Sequence, residues 1–389
     1  MTREPTLPSP PPEPPAAGHE WRRFVKIVLC ATVLPCLCVI AAAEWLGWSL
    51  GETYTAAAMR RAEDRDPNLV WMGSRVQGLA RIKLAILAEK QPEVLVMGQS
   101  RFGQANAAMF DPYTFYNMSR VAWPLYTYTD LVRHFPPGYR PKFILFNVDF
   151  FMFGSKYDEE YKDLAPVYDD TLSENLIETE NTVTYLLQYP RLLWQRRDYL
   201  NRPALGILTV LSGDGTRADG SEQPGMDAVS PGSRSLDAMM RPLWKRYITG
   251  GQTMEPAQMA ALKEFVDLGK KMGIPMAAVQ MPFFGPTLRS IEADPNYALL
   301  KDFRAHVASG YFDQLGIPFF DFETCPPYSE DYRYFFDGVH PGEPLTAMVI
   351  EKILADPRIH PVLPRLDLSN LNRRLEKDRT AADHILLPP

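Results

Sequence analysis

The chain has 389 residues, room for one large domain or two with appendages, and its 46% hydrophobic and 23% charged composition supports a packed core. A formal net charge of −6 offers no basic surface for nucleic acid. Of four Cys only Cys325 lies outside the apolar N-terminal stretch, and the six His show no zinc spacing, so neither a disulfide within the body nor a metal or other cofactor is expected.

Residues 1–20 are Pro-rich, with the run Pro8-Ser9-Pro10-Pro11-Pro12, and read as a disordered, partly polyproline tail. Residues 24–48 read as a transmembrane anchor. Ile27 to Ala43 carries no charge, Pro35 is a tolerated kink, and Trp45 and Trp48 fall where an interfacial aromatic belt would lie. Arg22, Arg23 and Lys26 precede the span and Glu44 and Glu52 follow it. The positive-inside rule then leaves the N-terminus in the cytoplasm and the body periplasmic or extracellular, attached to the inner or plasma membrane by a single pass. A cleaved signal peptide with Ala41-Ala42-Ala43 as its small-residue site is the competing reading, and it also exports the body.

Residues 53–90 read as a mostly helical connector, broken at Asp66-Pro67-Asn68. Within it, Leu79, Ile82, Ile86 and Leu87 give Val76 to Ala88 an amphipathic helical face. The body, 91–356, opens with a strand over Glu93–Met97, then a helix near Arg101–Met109. A second strand over Thr114–Met118 and a helix over Trp123–Phe135 follow. The third strand, starting at Lys142, is the most hydrophobic and is expected at the centre. From about 154 to 253 the pattern weakens into an acidic start, a helix over Leu186–Tyr199 and the polar, Gly-rich run Ser212–Ser221, which reads as an insertion or lid. Regular spacing returns with a helix over Glu255–Met272, a strand over Pro275–Met281, a helix over Asn296–Gln314, a strand over Ile317–Phe322 and a closing helix over Leu345–Ala355. The tail, 357–389, is loosely patterned. Strands alternating with helices at these intervals predict βαβ units and a parallel sheet.

Chemistry gathers at two places. Val94-Leu-Val-Met-Gly98-Gln99-Ser100-Arg101 is an apolar strand ending in Gly with a Ser in the turn that follows, the end of an open α/β sheet where sites form. Far along the chain, Phe336-Asp337-Gly338-Val339-His340-Pro341 places a carboxylate three residues before an imidazole. A Ser hydroxyl needs a base within hydrogen-bond reach, and that base needs a partner to fix its tautomer, so Ser100, His340 and Asp337 have the makings of a nucleophilic triad. Taken singly, the Ser is usually a helix cap and the Asp-x-x-His a surface turn; order and strand context make the set stronger. Tyr113, Tyr116, Tyr126, Tyr128 and Trp123 are dense enough to line a sugar groove, although packing is the commoner use of such aromatics.

These two segments resemble the first and last blocks of the SGNH/GDSL hydrolase superfamily, across about residues 91 to 356, with Gln99 standing where the family carries an acidic or small residue. The Ser-Arg pair and the anchor-then-body layout are similar to exported, membrane-anchored members associated with cell-surface polymers. The resemblance implies a flavodoxin-like three-layer α/β/α sandwich on a parallel sheet, and an esterase or O-acyltransferase acting through an acyl-Ser100 on acyl groups of a cell-envelope polysaccharide. Its partners would be an acylated glycan or acyl donor and a membrane-bound acyltransferase. The family's oxyanion hole implies donors here among the Ser100 N–H, the loop at Asn117 and Ser119, and the side chains of Asn117 or Asn147. Arg101 either acts on substrate, binding an anionic group or polarising the acyl oxygen, or pairs with Asp149 or a neighbour. A non-catalytic SGNH-like binding or assembly factor is the alternative, and the distance between Ser100 and His340 separates the two.

Overall fold

In the computed structural model the described residues are 17–52, 56–66, 68–73, 78–168, 204–225, 248–379 and 384–386, with single positions between 180 and 245. The Pro-rich run lies outside the described residues, as does the helix expected over 186–199 apart from 187 and 188, which are helical.

The helices and strands used below are α1 (Ala17–Leu50), α2 (Ala56–Arg65), β1 (Val70–Trp71), α3 (Leu79–Lys90), β2 (Val94–Gly98), β3 (Phe115–Ser119), α4 (Leu125–Arg133), β4 (Phe143–Asn147), α5 (Tyr157–Tyr161), β5 (Ala204–Leu205), α6 (Ile207–Ser212), β6 (Gly215–Thr216) and β7 (Glu222–Gln223). The chain continues with α7 (Pro256–Lys271), β8 (Met276–Gln280), α8 (Gly285–Ala293), α9 (Leu299–Ala308), α10 (Tyr311–Leu315), β9 (Phe319–Asp321), α11 (Glu343–Leu354) and α12 (Ser369–Asp378).

The body is an α/β structure on a five-stranded parallel sheet ordered β3-β2-β4-β8-β9, with β4 in the middle as its hydrophobic content predicts. Val94 pairs with Phe115 on one side and Phe143 on the other, and Ile144 pairs with Met276. Strands buried on both faces carry mainly apolar side chains, and here the polar exceptions, Asn117, Ser119, Asn147, Gln280 and Asp321, lie in the middle of β3 or at the C-terminal ends of the strands. Leu95, Met97, Ile144 and Phe146 turn to the face covered by α3, α4 and α7, while Val94, Val96, Phe143 and Leu145 turn to the face covered by α11 and α12. The order reverses between β2 and β4, so their C-terminal ends flank the crevice in which open α/β sheets hold ligands.

Three features depart from the sequence reading. The stretch expected as a helix near Arg101–Met109 is two single 3₁₀ turns, Ser100–Phe102 and Ala107–Met109. The buried Asn117 side chain donates to the carbonyls of Phe102 and Ala105 (3.1 and 2.8 Å), taking acceptors that a continuous helix would use itself. The helix expected over Asn296–Gln314 is split into α9 and α10 by Gly310, whose φ of +80° no helix continues through. The tail read as loosely patterned carries α12, which packs on α11.

The insertion builds a small second sheet, ordered β5-β1-β6-β7, in which β1 comes from the connector. Its β6–β7 turn docks on the outer edge of β3. Asn117 N–H donates to Asp219 O (2.8 Å) and Glu222 N–H to Gly103 O (2.7 Å). Beneath the turn the buried Lys83 ammonium donates to Asn117 O, Ser119 O and Gly220 O (2.9, 3.0 and 2.8 Å). An open strand edge is thus covered from within the chain.

Candidate active site

Ser100 sits directly after β2, at the reversal point of the sheet. Gly98 lets the backbone make this turn: its φ is +156°, and a Cβ there would lie 2.7 Å from Asn147 Cβ. Gln99 is buried and its amide donates to the Tyr157 hydroxyl, which donates in turn to Trp123 O (3.3 Å). The residue that departs from the family pattern therefore ties the Ser turn to α5.

The Asp-x-x-His segment is a self-bonded turn. Asp337 Oδ1 accepts the N–H of Val339 and of His340, each at 2.8 Å, and Phe336 N–H donates to His340 O (2.9 Å). It presents His340 to Ser100 across 240 residues of chain: Ser100 Oγ lies 2.9 Å from His340 Nε2, and His340 Nδ1 lies 2.8 Å from Asp337 Oδ2. A carboxylate only accepts, so Nδ1 carries the ring proton and Nε2 offers its lone pair to the Ser hydroxyl. Burial lowers the pKa of His340, but the charge and hydrogen bond of Asp337, with help from Glu222, outweigh it and leave the imidazole above its usual value. Burial raises Asp337, and the His340 charge with three hydrogen bonds brings it below the usual carboxylate range.

Arg101 joins the two halves of the site without reaching the cavity. Its guanidinium donates to Asp149, to Val339 O (2.9 Å), and to Met281 O and Pro282 O (2.7 and 2.8 Å), and it stacks on Phe283. Of its two expected roles, the structure takes the pairing with Asp149, since these bonds spend its donors on the protein. Asn117 and Ser119 are likewise withdrawn. The Asn117 amide holds the loop at Phe102–Ala105 and its Oδ1 accepts the Ser119 N–H (2.7 Å), while Ser119 O is bound by Lys83. Asn147 is fully buried under Gly98 and donates to Asp149 Oδ2 (3.0 Å). None of these four residues lines the cavity at Ser100, which corrects their assignment to substrate or oxyanion contacts. The Tyr side chains do not line it either; Trp123 does.

That cavity measures about 330 Å³ and is lined by Ser100 and His340, by Gln104, Arg120 and Trp123 from the sheet domain, and by Asp214 and Glu222 from the insertion. Arg120 follows β3 with a left-handed φ of 67°, and its guanidinium pairs with Glu222 at 2.7 Å and with Asp214 at 3.8 Å. Burial first, then the Glu222 charge, pushes the Asp214 carboxyl up to about 6. Apart from Ser100, His340 and Trp123, sequence reading missed these lining residues. The only local signals were the polar run Ser212–Ser221 and the Arg after Ser119, neither of which says what it will face. Among the described residues no cluster of His, Cys, Asp or Glu is arranged to hold a metal ion.

Set against protein-family profiles and against curated proteins, the chain matches none.

Proposed function

We propose that the protein is a serine hydrolase of the SGNH type, working through an acyl-enzyme. More particularly, we read it as a membrane-anchored esterase or O-acyltransferase for acyl groups on a cell-envelope polysaccharide. The observation that carries the first step is the chain of contacts Ser100 Oγ–His340 Nε2–Asp337 at the C-terminal end of a parallel sheet. The finer reading draws on the resemblance of the Ser and Asp-x-x-His segments and on α1, a helix whose Glu20–Ala42 portion is long and apolar enough to cross a membrane.

In this mechanism Ser100 Oγ bonds to the acyl carbon as its proton passes to His340 Nε2, and the carbonyl electron pair moves onto oxygen. Asp337 holds the ring and balances the imidazolium. The Ser100 N–H, at the start of a 3₁₀ turn where no helical carbonyl takes it, faces the developing oxyanion. Collapse expels the alcohol, which takes the proton from His340. Water or a second hydroxyl then repeats the sequence and frees Ser100. Arg22, Arg23 and Lys26, in the first turns of α1 ahead of its uncharged run, favour an N-terminus in the cytoplasm and a body outside, where a membrane-bound acyltransferase would hand over the acyl group.

The test uses the full chain in detergent with a fluorophosphonate probe and p-nitrophenyl acetate. Labelling and turnover should be present in the parent and vanish in Ser100→Ala. A folded parent that takes no label would sink the nucleophile and leave a binding or assembly factor.

A further inference from the structure

Glu222, the first residue of β7, comes from the insertion and reaches the nucleophile turn at both of its ends. Its N–H donates to Gly103 O (2.7 Å), and the Gly103 N–H closes the turn back onto Ser100 O (2.9 Å). Its side chain lies across the same glycine. A Cβ at 103 would collide with Glu222 Oε2 and stand 3.1 Å from Glu222 Cβ, so this position needs Gly for the close approach and not for its φ of −59°. At the other end, Glu222 Oε1 pairs with Arg120 Nη1 at 2.7 Å, and the Arg120 N–H donates to Gly98 O (2.9 Å), two residues ahead of Ser100.

The attachment has support around it. Asp219 Oδ2, in the same β6–β7 turn, accepts the Ala107 N–H (2.8 Å), and the Asn117 amide also reaches Gly103 O (3.3 Å). The Glu222 and Arg120 side chains are 18% and 17% exposed, so salt screens their pair less than one on an open surface. Both line the cavity with Ser100 and His340. The charged groups that bear on His340 are Asp337 of its own turn, Glu222 and Asp214 of the insertion, and Arg101 after the nucleophile. Glu222 favours the protonated ring and Arg101 opposes it. One carboxylate therefore fixes the turn that carries the Ser100 Oγ and N–H, and also favours the imidazolium that forms as Oγ attacks.

We propose that Glu222 is a positioning residue for the reaction at Ser100, clamping the Gly98–Gly103 turn through Gly103 and Arg120 and so making the insertion a working part of the active site. This rests on the acyl-Ser100 reading and adds to it the residue that couples the insertion to the nucleophile. Glu222 stands to the Ser100 turn as Asp337 stands to His340: it exchanges no proton in the reaction and sets where the reacting group lies. The insertion is then no detachable cover, because releasing the β6–β7 turn releases Gly103 and Arg120 together.

The test uses full-length protein in detergent with p-nitrophenyl acetate, and a fluorophosphonate to count active sites. Expressing kcat per labelled Ser100 removes any misfolded fraction. Glu222→Ala should lower kcat about tenfold or more while KM stays within about twofold. Glu222→Gln, whose amide oxygen can still accept from Arg120, should lose less kcat than Glu222→Ala, and the midpoint of its kcat/KM pH profile should move down because the charge that favours the imidazolium is gone. Gly103→Ala drives the carboxylate off the turn and should cost about as much as Glu222→Ala, with the double variant no worse than either alone. Parental kcat in Glu222→Ala, an unmoved midpoint in Glu222→Gln, or additive losses in the double variant would overturn the clamp. A parent that takes no label fails the acyl-enzyme reading instead. The placement of Glu222 is then judged on Ser100→Ala protein, where the His340 ring signal followed by NMR should titrate at lower pH once Glu222→Gln is added, and an unmoved titration overturns it.

Discussion

Arg101 and His340 show how single side chains make two distant segments act as one site. His340 serves as a base only when neutral. Because Asp337 holds its pKa above the usual 6.5, kcat/KM for an aryl ester should rise with pH through a midpoint above that value and then level. Asp337→Asn removes the charge that raises it, so burial prevails and the midpoint moves down, while kcat falls by on the order of 10³–10⁴. A midpoint that stays in place in the variant would detach Asp337 from His340. Arg101 is different in kind, because it works through the fold. Arg101→Met strands the Asp149 carboxylate, fully buried, and should cost about 3–5 kcal/mol in urea unfolding, with part regained by adding Asp149→Asn. Ser100, Asp337 and His340 were legible in the sequence because each motif is local: a strand, a turn and a spacing of three. Asn117 and Asn147 misled for the converse reason. Asn147 ends β4 and Asn117 was expected near the end of its strand but lies in the middle of β3, and which way an amide points is settled by packing that no local pattern records.

The elements were legible to the extent that their burial is regular. The five sheet strands and α7 announce themselves through continuous or periodic apolar runs, and the structure places each within a few residues of its expected bounds. The insertion was not legible, because its strands are two residues long and held by contacts to the sheet domain rather than by their own pattern. Lys83 is the central tie. One ammonium fastens α3 to two carbonyls of β3 and to Gly220 in the β6–β7 turn, whose Glu222 completes the cavity wall. Lys83→Met keeps the apolar stem and leaves three buried carbonyls without a donor. The turn should loosen ahead of the rest of the body, with amide exchange at 215–223 accelerating at least tenfold while that of β2 and β4 stays slow. Uniform acceleration across the sheet would mean that Lys83 stabilises the whole body and does not specifically hold the turn.

Helix α1 and the cavity are connected through that same small sheet. Helix α1 runs 34 residues, roughly 50 Å at 1.5 Å per residue, against a hydrocarbon core of about 30 Å, so its C-terminal end extends past the span Glu20–Ala42. That end is built into the body. Leu50 is buried against Ile207, Val210 and Leu211 of α6, Leu50 O accepts the Gly206 N–H, and Glu52 accepts the Ile207 N–H. From β5, beside this junction, to β7, which carries Glu222, there are three strand spacings, roughly 14 Å at 4.7–4.9 Å each. The cavity is thereby held at a short, fixed remove from the end of α1. The boundary at residue 53 drawn from the sequence cuts through this junction, since nothing in the residues between the anchor, 24–48, and the connector, 53–90, signals that Leu50 packs on the body. A fragment starting at Glu44 should therefore be more stable than one starting at Thr53, by about 1.5–3 kcal/mol for the Leu50 contact alone, and its melting temperature should be correspondingly higher. The shorter fragment would also expose Ile207, Val210 and Leu211 and bind a hydrophobic dye before it unfolds. Equal melting of the two fragments would mean that the end of α1 only rests on the body, and the fixed distance from α1 to the cavity would go with it.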